Sequence, residues 1–112
     1  MSDLSLPAPV QALVDAVNAG DTDAFVGAFT PDGFVSDWGR VFAGADGIRG
    51  WSATDAIGVK AVMTILTAET DGDTTSTSID WRSGKANGVS DGIFVVEGDR
   101  LASFTIPPHI KN

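Results

Sequence analysis

Phe34-Val35-Ser36-Asp37-Trp38-Gly39-Arg40-Val41-Phe42-Ala43-Gly44 is the stretch on which the fold turns. Residues 34–38 read as a short strand, Gly39 permits a tight reversal, and 40–43 read as its returning partner. Most of the segment reads as core material. Asp37 is the exception: alternation places it on the face it shares with Val35, so the acid is costly unless that face presents it to something.

Helical periodicity precedes the hairpin. Val10, Leu13, Val14 and Val17 recur at i, i+3, i+4 and i+7, with Ser5 as a cap, Pro7 in the first turn and Gly20 as a left-handed stop. Asp21 caps a second helix that buries Phe25 and Phe29, and Pro31-Asp32-Gly33 is a turn signal. After the hairpin, Asp46 to Trp51 reads as a short third helix held by Ile48 and Trp51, because its two glycines weaken it.

The period then changes. Val59–Glu69, Thr74–Arg82, Ala86–Val96 and Leu101–Ile106 read as four strands joined by glycine-bearing turns. Gly88 and Gly92 suggest bulges or bends in the third of them, and Pro107-Pro108 ends the last. Helices followed by an antiparallel meander predict an α+β fold, with the helices on one face of a curled sheet.

Composition narrows the function. The 112 residues make a single domain spanning 1–112, and the absence of cysteine removes disulfides and thiolate sites. One histidine, His109, is expected to decorate the chain end. A net charge of −8 with seven basic residues repels phosphate backbones, so no nucleic-acid partner is expected. No apolar run reaches the length of a bilayer span and the N-terminus lacks a basic leader, which predicts a cytoplasmic protein with no membrane partner.

Gly20-Asp21-Thr22-Asp23-Ala24-Phe25, Phe29-Thr30-Pro31-Asp32-Gly33 and Phe42-Ala43-Gly44 with Ile48 and Trp51 follow one another in an order that resembles the nuclear transport factor 2-like superfamily, the SnoaL-like or cystatin-like proteins. The resemblance covers nearly the whole chain. It implies three N-terminal helices packed in the concave face of a strongly bent, mainly antiparallel sheet, a cone-shaped α+β barrel with an apolar pocket at its open end. Such folds host isomerases, dehydratases, cyclases, epoxide hydrolases and proteins without known chemistry, so function must come from the site.

By resemblance to ketosteroid isomerases, Asp37 matches the proton-shuttling aspartate and Asp91 the protonated one. The matching place for the family's helix-1 tyrosine is Leu13, and the chain has no tyrosine. Bottom-up, Asp37 is either a desolvated general base or a strand-end acid paired with Arg40. Asp91 shares its face with Val89 and Ile93 and is either a functional acid, part of a buried hydrogen-bonded pair, or solvated.

Trp38 and Trp51 are candidates for the pocket mouth. Arg40 either orients a ligand or pairs with a carboxylate, and Asp55 either caps a turn or reaches the cavity. Phe104 and Ile106 share a face that the resemblance assigns to the cavity lining. Trp81 is expected on an exposed or dimer-facing surface with Ile79. The expected function is binding of a small apolar metabolite without any cofactor or metal. The alternatives are a cofactor-independent isomerase, dehydratase, cyclase or epoxide hydrolase with Asp37 as base and Asp91 as acid, or an association module. A homodimer through the sheet face is compatible with each.

Overall fold

The first helix, α1 (Ala8–Ala19), forms because Val10, Leu13, Val14 and Val17 make one continuous apolar stripe, and all four are buried. The computed structural model describes residues 6–85 and 87–108, so the expected Ser5 cap, Ala86 and His109 lie outside the described residues. Gly20 ends α1 at φ 71°, its N–H returning to the Ala16 and Val17 carbonyls. Asp21 then caps α2 (Thr22–Gly27), its side chain accepting from the Ala24 amide.

The chain continues through β1 (Phe29–Asp37), β2 (Arg40–Ala43), α3 (Gly44–Asp55), a 3-10 turn at Ile57–Val59, β3 (Val62–Asp71), β4 (Thr74–Arg82), β5 (Asn87–Glu97) and β6 (Arg100–Ile106). The six strands form one sheet in the order β2-β1-β6-β5-β4-β3. Every pairing is antiparallel except β1 with β6, which is parallel. The helices cover one face: α1 packs on β3, β5 and β6, and α3 on β1 and β2. The fold is therefore α+β with a bent mixed sheet around the helices. No described helix is long and apolar enough to cross a membrane.

Several local expectations are corrected, the first being Phe29, which opens β1 and does not belong to the second helix. Pro31-Asp32-Gly33 is not a turn between elements; it lies inside β1, where the register against β6 jumps between Phe29 and Phe34. The extra residues bulge out of the ladder, which is where turn-type chemistry is tolerated within a strand. The third helix runs over twelve residues rather than a short segment, because Ile48, Trp51 and Ser52 all bury against the core and override the weak glycines. Val59 belongs to the 3-10 turn and not to β3.

The glycines of β5 do not mark bulges either. The β4–β5 ladder runs unbroken past Gly88 and Gly92, and the register shift of β5 falls at Val95/Val96 against β6. Gly92 instead makes room: a Cβ there would lie 2.4 Å from Ile79 Cδ1 and 3.1 Å from Phe104 Cε1.

The core gathers Phe25, Trp51, Phe94, Phe104, Leu13, Ile48, Met63, Ile79 and Leu101 between helices and sheet. Phe94 and Phe104 stack at 4.5 Å between centroids. Asn18 joins the layers by a two-way clasp, donating to the Met63 carbonyl (3.0 Å) and accepting from the Met63 amide (2.7 Å). That clasp satisfies the backbone of β3, an edge strand, where Met63 turns inward.

Candidate functional site

Trp38 and Gly39 form the two-residue turn between β1 and β2, with φ of 52° and 87°. Positive φ at both central positions is what a type I′ hairpin turn demands, and it is normally met by Asn-Gly or Gly-Gly. A tryptophan held there is strained, and it is also 53 % exposed. Its amide donates to the Ile106 carbonyl, which pins the tip of the hairpin to the end of β6.

Asp37, the last residue of β1, stands opposite Arg40 in the ladder, and its carboxylate receives two side-chain donors on Oδ2. Arg40 Nη2 lies 3.1 Å away and Trp51 Nε1 3.0 Å away. Arg40 also lies over the Phe42 ring at 5.4 Å. Trp51 is held by three rings: Phe25 stacks on it at 5.9 Å, Phe104 meets it edge-on at 6.1 Å, and Trp81 tilts against it at 6.3 Å. The indole therefore holds Asp37 from a rigid position.

Asp55 ends α3 and reaches the same place. Lys85 donates to its Oδ1 at 2.6 Å, Thr54 donates to its Oδ2 at 2.7 Å, and Arg40 Nη2 lies 3.9 Å from Oδ1. Burial pushes this carboxyl up, but the hydrogen bonds from Lys85 and Thr54 and the charges of Lys85 and Arg40 outweigh it. The net effect holds the Asp55 pKa below the ordinary aspartate value. Asp37, Arg40, Asp55 and Lys85 thus form one alternating chain of charge, anchored in the core through Trp51.

A cavity of about 270 Å³ opens beside this chain. Trp38, Trp51, Trp81, Asp37, Asp55 and Lys85 line it, with Ile106 and the 87–90 segment completing the wall. The structure brings together five of the sequence candidates here, Asp37, Trp38, Trp51, Asp55 and Ile106. Arg40 is not part of the lining; it pairs with Asp37 and is more than half exposed. Phe104 is fully buried beneath Trp51 and belongs to the core.

Asp91 is not part of this site. It is exposed, pairs across the ladder with Ser78, and faces a separate open groove with Thr67, Glu69, Ser76 and Ile93 on the outer side of the sheet. Its face with Val89 and Ile93 is the solvent face, since Gly92 and Phe94 turn inward. The pairing of Asp37 with Asp91 as base and acid is thereby lost.

Trp81 is corrected in the opposite direction. It turns inward onto Trp51 and lines the cavity, while Ile79 is 1 % exposed in the core, so neither presents an outer surface. Lys85 is the site residue that the sequence does not flag. It stands in the Ser83-Gly84-Lys85 turn, where a lone cation has no partner within reach along the chain, and its carboxylate comes from thirty residues upstream.

Comparison with known proteins gives structural neighbours only; no protein-family model and no curated protein matches the chain. A candidate polyketide cyclase from Sinorhizobium meliloti superposes with a TM-score of 0.77 at 29 % identity, over 90 % of this chain and 94 % of that one. An uncharacterised cystatin-fold protein from Novosphingobium aromaticivorans gives 0.79 at 21 % identity, over 95 % of this chain and 100 % of that one. A protein of ketosteroid isomerase-like fold from Catenulispora acidiphila, solved in complex with trimethylamine, gives 0.76 at 22 % identity, over 91 % of this chain and 85 % of that one.

Proposed function

This chain has the fold of the nuclear transport factor 2-like superfamily, and on that fold we propose that it binds a small, partly apolar metabolite in the cavity beside Asp37. One observation carries the reading. Three tryptophans and two inward carboxylates converge on a single concavity, apolar walls with a few fixed polar groups, which is the usual make-up of a ligand site. The trimethylamine held by the Catenulispora neighbour agrees with a small-molecule role for such a fold. At about 270 Å³ the space lies just under the roughly 300–1,000 Å³ usual for ligand pockets, so the ligand is small.

A thermal-shift screen tests this. Compounds of fewer than about fifteen heavy atoms, a size set by the small cavity, should include members that raise the melting temperature, because binding to the native state must stabilise it. The gain should vanish in Trp81→Ala. A screen in which nothing stabilises the wild type overturns the proposal.

Proton-transfer chemistry is the second reading, favoured by one detail of Asp37. Both of its side-chain donors fall on Oδ2, which leaves Oδ1 lone pairs for a proton taken from a ligand. Asp91 has no place in this version. Deuterium exchange at the carbon beside a small ketone's carbonyl, measured against Asp37→Asn, separates catalysis from binding. Equal exchange by the two proteins removes the reading.

A further inference from the structure

We infer that the cavity takes a small organic cation, an aromatic or alkyl amine whose ammonium group docks at the Asp37 and Asp55 carboxylates while its apolar body lies against Trp38 and Trp81. This rests on the pocket reading above and names the ligand class for it.

The charges of the site are unequal in kind. The two carboxylates are short side chains at the ends of β1 and α3, only 14 % and 11 % exposed, and both lie within 3.9 Å of the same Arg40 nitrogen. The two cations that balance them are long side chains, Arg40 at 57 % and Lys85 at 54 % exposed. Negative charge is therefore built into the wall, and positive charge is lent to it by groups that can swing into water at little cost. Of these two cations only Lys85 lines the cavity; Arg40 pairs with Asp37 outside the lining.

An incoming ammonium can exchange for Lys85 at Asp55 and restore the same pairing, so no carboxylate is left buried without a partner. An incoming anion meets two acids that it cannot displace. The tryptophans strengthen the preference, since indole faces attract cations and reject anions. Trp81 and the exposed Trp38 supply this surface, while Trp51 has its faces occupied by Phe25 and Trp81. The net charge of −8 adds a long-range attraction of the same sign.

The test uses three probes of matched size: 2-phenylethylammonium, 2-phenylethanol and phenylacetate. Each is titrated into the ¹⁵N-labelled full chain while the indole N–H resonances are followed. The cation is expected to bind about tenfold more tightly than the alcohol, with phenylacetate weakest, through charge and cation–π attraction. Raising sodium chloride from 0.02 to about 0.5 M should shrink that preference several-fold on the wild type, because part of it is screened. Asp55→Asn should abolish most of it, and Lys85→Met should tighten the cation. If phenylethanol or phenylacetate binds as well as the cation, the cation inference is overturned and the pocket reading stands. If none of the three moves an indole resonance, the cation inference is overturned, and the thermal-shift screen decides the pocket reading separately.

Discussion

Trp51 donates its indole N–H to the Asp37 carboxylate at 3.0 Å, joining the middle of α3 to the end of β1 fourteen residues earlier in the chain. The donor is 1 % exposed and immobilised by three aromatic neighbours, whereas the other donor to the same oxygen, Arg40, is more than half exposed. The two bonds are similar in length but unequal in worth. Trp51→Phe keeps an aromatic ring and removes the donor. It should cost about 2–4 kcal/mol, since hydrogen bonds to charged groups carry roughly 1.5–3 kcal/mol and the smaller ring leaves some unfilled space. Arg40→Ala removes a solvent-screened pair and should cost under about 1 kcal/mol. Urea unfolding of both variants checks the ranking, and an Asp37→Asn/Trp51→Phe cycle should show coupling of at least ~1 kcal/mol.

The strained turn yields a trade-off. Trp38 has φ of 52°, a region that costs a bulky residue on the order of 1–2 kcal/mol and that asparagine tolerates. Trp38→Asn should therefore raise stability by about 1 kcal/mol, because the side chain is 53 % exposed and its removal forfeits little packing. The same variant should bind cavity ligands several-fold more weakly, as an aromatic wall is lost. Stabilisation without loss of affinity would mean that the strain serves nothing at the mouth.

Asp37 and Asp91 show where the sequence was readable and where it was not. In β1, Val35 and Asp37 share a face, the ladder from Phe34 to Asp37 is regular, and the acid does point toward the helices. In β5 the alternation was equally regular and grouped Asp91 correctly with Val89 and Ile93. What failed was the sign of the face. The inward row is Gly88, Ser90, Gly92 and Phe94, poorer in apolar side chains than the outward row, because Ile79 and Phe104 arrive from neighbouring strands and fill the space over Gly92. Hydrophobicity along one strand cannot report volume supplied by another. Trp81 follows the same rule: in β4 the threonines at 75 and 77 are buried on the face that carries the partly buried Trp81, so side-chain polarity does not report which way that face points. The helix caps at Gly20 and Asp21 needed no such information and were legible in full.

Gly58 and Gly92 separate two kinds of crowding. A Cβ on Gly58 would lie 1.6 Å from the Ala53 carbonyl oxygen, which is helix backbone at the end of α3. A Cβ on Gly92 would lie 2.4 Å from Ile79 Cδ1, the tip of a side chain that can rotate away. Gly58→Ala should cost more than about 3 kcal/mol and displace Asp55 from Lys85, because the end of α3 must move. Gly92→Ala should cost roughly 1–3 kcal/mol, the range for overpacking that side chains absorb. Denaturation midpoints give the order, and a reversed order would show that the 3-10 turn yields more easily than the core.

Asp55 makes the stability depend on acid in a way that can be assigned. Its native pKa lies below the ordinary value, with burial opposing the shift and Lys85, Thr54 and Arg40 driving it. In the unfolded chain the same carboxyl protonates near its free value of about 3.9. As the pH falls through that value the unfolded state takes up a proton that the native state refuses, so unfolding becomes easier. Above about pH 5 both states are ionised and the contribution is complete and constant. Other carboxylates also titrate in this range, so the informative quantity is the difference between wild type and Asp55→Asn. That difference in unfolding free energy should be level from pH 8 to about 5.5 and should shrink toward pH 3, as the unfolded carboxyl protonates while the native one, its pKa held down, stays ionised. Lys85→Met removes the nearest cation and should flatten the same curve. A difference that stays constant down to pH 3 would show that the Lys85 pair leaves the Asp55 proton affinity unchanged.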